Sequence, residues 1–175
     1  MKNCKPAKSP DANVPCFDDE IETLIIHLLT KRQQTLALAE SCTGGCIAHR
    51  LTNVPGASVV FLGGVVAYSN AAKGKFLGVR AETLAAHGAV SEAVACEMAE
   101  GARERFSADF AIGVTGIAGP DGGTKEKPVG TVFIGLAGEF GTVVERKFNP
   151  FERERFKEVT AAQALEMLRS RLAGA

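Results

Sequence analysis

The sequence has 175 residues, of which 46% are hydrophobic and 23% are charged, and its formal net charge is 0. These values are typical of one globular domain with a sizeable core. A balanced charge supplies no bulk positive field that would favour DNA or RNA. No stretch approaches the ~20 apolar residues needed to cross a bilayer. We therefore expect no nucleic acid and no membrane among its partners.

The cysteines and the N-terminus both favour a cytoplasmic protein. The five cysteines are an odd set without the spacing of a secreted disulfide scaffold, which favours reduced thiols. The N-terminal residues include lysines but no apolar segment typical of a secretory signal.

The chain divides into a flexible N-terminal tail over residues 1–16, which carry three prolines among polar residues, and a single domain over residues 17–175. Asp18 is placed to cap a first helix. The next apolar residues recur at helical spacing, which predicts one face packed on a sheet; they are Ile21, Leu24, Ile25, Leu28 and Leu29.

Five strands and further helices follow. The predicted strands cover residues 36–39, 63–68, 110–115, 131–137 and 142–148. Helices are predicted over residues 46–54, from Asn70 to Gly78, over 82–86, from a Ser91 cap to about 106, and over 152–172. This order predicts an α/β fold, a three-layer α/β/α sandwich around a mixed, mostly parallel five-stranded sheet. The last two strands form a hairpin, which reverses one of them.

Residues 36–48 are the most informative stretch, because an apolar strand, a turn of small residues and a helix start follow one another. Gly44 and Gly45 allow positive φ angles or a close approach of ligand. The helix N-terminus predicts free amides, able to bind an anion or to stabilise an oxyanion near Thr43. Ser41 lies at the carboxyl end of the strand, where α/β sheets bind ligands.

Three segments are predicted to share this edge: residues 41–45, 68–73 and 115–123. A serine nucleophile needs a base. The three histidines, His27, His49 and His87, are poorly placed for a Ser-His-Asp triad. Lys73 is the better base if burial lowers its pKa, with Tyr68 as a hydrogen-bond mediator. From spacing alone, a solvated lysine is the simpler interpretation.

Other patterns are weaker. Cys42, Cys46 and His49 have a spacing that suggests zinc, but small buried cysteines explain it more simply. Arg153 and Lys157 lie four apart and could hold a phosphate, yet the surrounding charges favour a solvated face. Neither a P-loop nor a dinucleotide fingerprint is present.

Several long motifs resemble the CinA C-terminal domain. They are Ala39-Glu40-Ser41-Cys42-Thr43-Gly44-Gly45, Tyr68-Ser69-Asn70-Ala71-Ala72-Lys73, His87-Gly88-Ala89-Val90-Ser91, Thr115-Gly116-Ile117-Ala118-Gly119-Pro120-Asp121-Gly122-Gly123 and Lys127-Pro128-Val129-Gly130-Thr131-Val132. The resemblance covers about residues 18–172. It is to the stand-alone form of the family, without an N-terminal molybdopterin-binding-like domain.

The resemblance implies a nicotinamide-nucleotide amidase, which converts nicotinamide mononucleotide to nicotinate mononucleotide and ammonia in pyridine nucleotide recycling. It implies Ser41 as nucleophile, with Lys73 and Tyr68 as the activating pair. Thr115 and Arg153 match substrate-contacting positions, although Arg155 could replace Arg153 because the preceding turn differs from the family pattern.

We therefore expect acyl transfer through Ser41, with oxyanion donors over residues 43–45 and substrate contacts from Thr115, Gly116 and Arg153. No metal or cofactor is expected. The partner is a small mononucleotide, and a homo-oligomer is expected because the family often self-assembles. The main alternative is a nucleotide-binding sensor or adaptor without turnover. A pyrophosphatase is a second, metal-dependent alternative.

Overall fold

The computed structural model describes residues 19–174 of the chain. The helices are α1 Asp19–Arg32, α2 Cys46–Thr52, α3 Asn70–Leu77, α4 Ala81–His87, α5 Glu92–Phe106 and α6 Arg153–Ala173, with a 3₁₀ turn at Ala57–Val59. The strands are β1 Leu36–Glu40, β2 Phe61–Val66, β3 Phe110–Gly116, β4 Thr131–Gly138 and β5 Gly141–Phe148. The predicted tail over 1–16 and the predicted cap at Asp18 lie outside the described residues.

The five strands form one sheet in the order β2-β1-β3-β4-β5. Strand β1 pairs in parallel with β2 and with β3, whereas β4 runs antiparallel to both β3 and β5. Four strands therefore point one way and β4 points the other, which confirms the predicted mixed sheet. The carboxyl ends of β1, β2 and β3 consequently lie along one edge.

Helices cover both faces of the sheet, as predicted. The side chains of strand β1 alternate between two hydrophobic cores, one on each face of the sheet. Leu36 and Leu38 pack in the core under α1, α2 and α6, while Ala37 and Ala39 face the core under α3 and α5. Strand geometry directs successive side chains to opposite faces, so an uninterrupted apolar run is buried on both sides.

The second core is thin because glycines let α5 approach the sheet and α3 closely. A Cβ on Gly113 of β3 would lie 2.5 Å from the Ala99 amide nitrogen in α5. A Cβ on Gly101 of α5 would lie 1.8 Å from the Leu77 carbonyl oxygen at the end of α3. These contacts fix the position of α3, which carries Lys73.

The main differences from prediction are at element ends. Helix α2 ends at Thr52, and β2 begins at Phe61 rather than at residue 63. The β2 register shifts where it passes Leu36 and Ala37, so Phe61 pairs with Leu36 before the two glycines continue the ladder. Gly63-Gly64 therefore lies inside the strand and does not mark its start.

The two edge strands differ in charge. Strand β5 carries Glu145, Arg146 and Lys147, whereas β2 carries no charged residue and exposes Leu62 and Val66. Among the helices of the described part, none is both long and apolar enough to cross a membrane.

Candidate active site at the carboxyl edge of the sheet

A cavity of about 270 Å³ opens at the edge where β1 and β3 end. It is lined by Ser41, Cys42, Tyr68, Lys73, Ala89, Val90, Thr115, Gly116, Ile117, Ala118, Gly119, Asp121, Gly122 and Arg153. The structure thus brings together the three segments that the sequence predicted to share this edge, and adds the start of α6 and the α4–α5 connection.

Ser41 follows β1 directly and is 8% exposed. Its amide donates to the Val114 carbonyl oxygen of β3 at 3.0 Å, which extends the β1–β3 ladder past the end of β1. The serine is therefore fixed relative to the sheet on its main-chain side, while its side chain reaches the cavity.

Lys73 is almost completely buried in the second turn of α3. Its Nζ lies 3.0 Å from Ser41 Oγ, 2.8 Å from the Ala67 carbonyl oxygen and 3.4 Å from the Tyr68 carbonyl oxygen. Burial lowers the pKa of this amine, since desolvation penalises the charged form.

The three contacts suit a base. A neutral amine has two N–H groups and one lone pair, and its two N–H groups can donate to the two carbonyl oxygens. In this neutral form the lone pair of Lys73 is left for Ser41 Oγ, from which it can accept the hydroxyl proton.

The Tyr68 phenol contacts Arg153, not the serine–lysine pair. The Tyr68 hydroxyl accepts from Arg153 Nη1 at 3.2 Å, and Arg153 Nη2 donates to the Gly119 carbonyl oxygen. Tyr68 is 63% exposed. The sequence led us to expect a phenol between Lys73 and Ser41, but the amine reaches the hydroxyl directly.

The opposite wall of the cavity is the end of β3 and the loop after it. Thr115 is buried, and its Oγ1 donates to the Ala89 carbonyl oxygen at 2.8 Å. Gly116 lies close to its neighbours, because a Cβ there would be 2.9 Å from the Thr131 carbonyl oxygen and 3.0 Å from Cys42 Sγ. A larger residue at this position would therefore force its packed neighbours to shift.

Thr43, Gly44 and Gly45 are placed differently from the prediction. Gly44 and Gly45 have the expected positive φ angles of 61° and 94°, but none of the three residues lines the cavity. The Gly44 amide donates to the Ser41 carbonyl oxygen and the Gly45 amide to Glu40 Oε2. The expectation that these two amides are free is therefore wrong.

Glu40 is the residue that sequence reasoning missed. It is the last residue of β1 and is 1% exposed. Its carboxylate accepts hydrogen bonds from main-chain amides at the start of α2. A charged residue at the end of an apolar strand, immediately before a small-residue turn, was the available signal.

The three residues whose spacing suggested zinc, Cys42, Cys46 and His49, divide between two cavities. Cys42 lines the site beside Ser41. The pKa of its thiol is raised to about 12, chiefly by burial, so the thiol remains protonated near neutral pH. Cys46 and His49 line a second cavity of about 450 Å³ between α1, α2 and α6. No cluster of three or more metal-ligating His, Cys, Asp or Glu side chains occurs within residues 19–174.

Curated relatives share about half of their residues with this chain over most of its length. A CinA-like protein of Anaeromyxobacter sp. strain K is 54% identical over 151 residues, which are 86% of this chain and 37% of that protein. A CinA-like protein of Parasynechococcus marenigrum is 50% identical over 157 residues, which are 89% of this chain and 38% of that protein. The chain therefore spans a little over a third of the length of these curated relatives.

Solved structures show the same fold. The competence/damage inducible protein CihA of Agrobacterium tumefaciens superposes with a TM-score of 0.84 at 43% identity, covering 87% of this chain and 93% of that one. A CinA superfamily protein of Klebsiella pneumoniae superposes with a TM-score of 0.86 at 36% identity, covering 90% and 98%. The family model for the CinA C-terminal domain matches residues 18–172, and the chain belongs to that family.

Proposed function

We propose that this protein is an amidohydrolase that converts nicotinamide mononucleotide to nicotinate mononucleotide and ammonia, through a covalent intermediate on Ser41. The observation that carries the proposal is the contact of 3.0 Å between Lys73 Nζ and Ser41 Oγ. A serine in hydrogen-bond contact with a buried amine of lowered pKa is the arrangement that activates a hydroxyl for acyl transfer.

The first half of the reaction forms the acyl-enzyme. Lys73, as the neutral amine, takes the proton of the Ser41 hydroxyl while Oγ attacks the carboxamide carbon. The resulting ammonium of Lys73 gives its proton to the amide nitrogen, the C–N bond breaks and ammonia leaves. In the second half, water attacks the ester, Lys73 again takes a proton, and the carboxylate is released as Ser41 recovers its hydrogen.

The negative oxygen of the tetrahedral intermediate needs donors. The Gly44 and Gly45 amides are already engaged, and the Ile117 amide donates to the Thr131 carbonyl oxygen. We therefore assign this task to the main-chain amides of three other residues that line the cavity, Gly116, Ala118 and Gly119. The protonated Lys73 adds favourable charge on the other side. This assignment replaces the donors expected from sequence.

Arg153 is the group best placed to hold the phosphate. It lines the cavity and is held by the Tyr68 hydroxyl and the Gly119 carbonyl oxygen. Within the described residues it forms no ion pair, so its charge is available to an anion. Arg155 pairs with Glu158 instead and does not line the cavity. Tyr68 then acts on the substrate through Arg153, and its main-chain carbonyl orients Lys73.

The proposal is tested by ammonia release from three substrates, namely the mononucleotide, the corresponding riboside and free nicotinamide. We expect turnover of the mononucleotide, weaker turnover of the riboside and no effect of EDTA. Ser41→Ala should abolish release while Ser170→Ala, at an exposed serine of α6, should match the wild type. Tight binding of the mononucleotide without ammonia release would support a sensor or adaptor instead, and EDTA-sensitive pyrophosphate cleavage would support a pyrophosphatase.

We place this reaction in the cytoplasm, where pyridine nucleotides are recycled, and propose that the chain acts as a homo-oligomer. Size-exclusion chromatography with light scattering would test the second statement, and a monomer across the assay concentration range would contradict it.

A further inference from the structure

Glu40 is a charged side chain in a place where charges are rarely tolerated. It is 1% exposed and directly precedes Ser41. A carboxylate removed from water is costly unless it is hydrogen-bonded or paired. The side chain must therefore be satisfied by neighbouring groups, and those groups reveal its role.

Three main-chain amides satisfy the carboxylate. Oε2 accepts from the Gly45 amide at 3.0 Å and from the Ile47 amide at 3.2 Å, and Oε1 accepts from the Ala48 amide at 2.9 Å. These amides belong to the N-cap residue Gly45 and to the first turn of α2, whose N–H groups have no partner within the helix. A negative charge there is also favoured by the helix dipole.

These hydrogen bonds close a ring that contains the turn with the nucleophile. Glu40 belongs to β1, its hydrogen-bond partners belong to the start of α2, and residues 41–44 form the turn between them. The residue at the helix start, Gly45, has no side chain to cap the helix. Glu40 is thus the side chain that joins the two ends of the turn carrying Ser41.

We infer that Glu40 is a positioning residue for the nucleophile: by occupying the amides of α2, it holds the turn so that Ser41 Oγ stays within reach of Lys73. Glu40 does not line the cavity, so its effect is on the reactivity of the serine and not on substrate binding. The inference rests on the proposed function in taking Ser41 as the reacting group.

The test measures serine reactivity without the substrate. A fluorophosphonate probe phosphonylates a reactive serine, forming a P–O bond to Oγ while the P–F bond breaks, fluoride leaves and the base takes the proton. The rate of labelling at Ser41 is followed by mass spectrometry of the peptide. Glu40→Gln keeps the size of the side chain, but it removes the charge and directs an NH₂ group at amide donors.

The matched control is Glu22→Gln. Glu22 is also a buried carboxylate, 5% exposed, but it pairs with Arg50 beside the second cavity. We expect Glu40→Gln to label about 10- to 100-fold more slowly than the wild type, since small misplacements of reacting groups have effects of that size. Glu22→Gln should label within about twofold of the wild type. Both variants are expected to melt at a lower temperature.

A second variant keeps the inference open to refutation if Glu40→Gln does not fold. Glu40→Asp retains the charge but is one methylene too short to reach all three amides, and should label about 3- to 10-fold more slowly. Labelling of either folded Glu40 variant at the wild-type rate would overturn the inference. If the wild type labels at Ser41 but releases no ammonia, the proposed function fails while the role of Glu40 can still be measured.

Discussion

Lys73 and Ser41 are 32 positions apart in sequence, yet Nζ of the lysine lies 3.0 Å from Oγ of the serine. Three features produce this contact. The Ser41 amide is tied to β3, Ser69 caps α3 by accepting from the Ala72 amide, and the end of α3 rests against Gly101 of α5. Each residue of the pair is therefore positioned by a different element of the sheet-and-helix framework.

Removal of the Lys73 amine should abolish activity. Lys73→Met keeps much of the side-chain volume but supplies no base, so we expect ammonia release to fall by about 10³-fold or more, as for other members of a nucleophile–base unit. Lys75→Met is the matched control, because Lys75 lies on the same helix and is exposed. Retention of more than a tenth of the wild-type rate in Lys73→Met would exclude the lysine as the base.

The lowered pKa of Lys73 predicts the direction of the pH dependence. In the proposed mechanism the neutral amine is the active form, so kcat/KM should rise with pH and level off below the ordinary lysine pKa of about 10.4. A profile that falls across the same range, or levels off only above that value, would contradict Lys73 as the base.

The same shift affects stability. A buried lysine binds its proton less readily in the folded state than in the unfolded state, so its protonation penalises folding fully below the folded pKa. The penalty decreases as pH rises through the folded pKa and disappears above the unfolded one. The melting temperature of the wild type relative to Lys73→Met should therefore increase as pH rises toward the ordinary lysine pKa of about 10.4. A constant difference would show that burial does not perturb this amine.

Arg153 should determine the preference for a phosphorylated substrate. A hydrogen bond to a charged group contributes about 1.5–3 kcal/mol, so Arg153→Gln should raise KM for the mononucleotide about 10- to 100-fold. The KM for the riboside should change little. Arg155→Gln tests the alternative from sequence, and a larger increase in this variant than in Arg153→Gln would move the phosphate contact to Arg155.

Tyr68→Phe separates two roles of the phenol. If the hydroxyl acts by holding Arg153, the variant should lose about tenfold in kcat/KM for the mononucleotide, mainly through KM, and little for the riboside. If the hydroxyl transfers a proton between Lys73 and Ser41, kcat should fall about 10²-fold or more for both substrates. Steady-state kinetics with the two substrates distinguish these outcomes.

The framework was largely predictable from sequence because its signals are local. The apolar run before Ser41, the Ser91 cap of α5 and the glycine at position 78 each predict an element or its end, and the structure has all three. Signals of this kind depend on side chains within a few residues of each other.

The interior of the site was less predictable because it depends on distant partners. Local spacing indicated a solvated lysine. Lys73 is buried because α3 packs against other parts of the fold, including α5, and local spacing does not report that packing. The Gly45 amide looked free because the turn was considered without the side chain of Glu40, which folds back over it. The Gly44 amide is engaged within the turn itself, where it donates to the Ser41 carbonyl oxygen. Likewise, the partner of the Tyr68 hydroxyl lies 85 positions away, on α6.

The unequal charge of the two outer strands bears on how the protein behaves at high concentration. An uncharged, apolar outer strand offers unpaired main-chain groups to strands of other molecules, whereas charged side chains discourage such pairing. Aggregation at high concentration should therefore start by strand pairing at β2, where Leu62 and Val66 face solvent, and not at β5. The substitution Leu62→Lys should reduce pairing between molecules at this edge of the sheet, and it leaves every residue of the cavity unchanged.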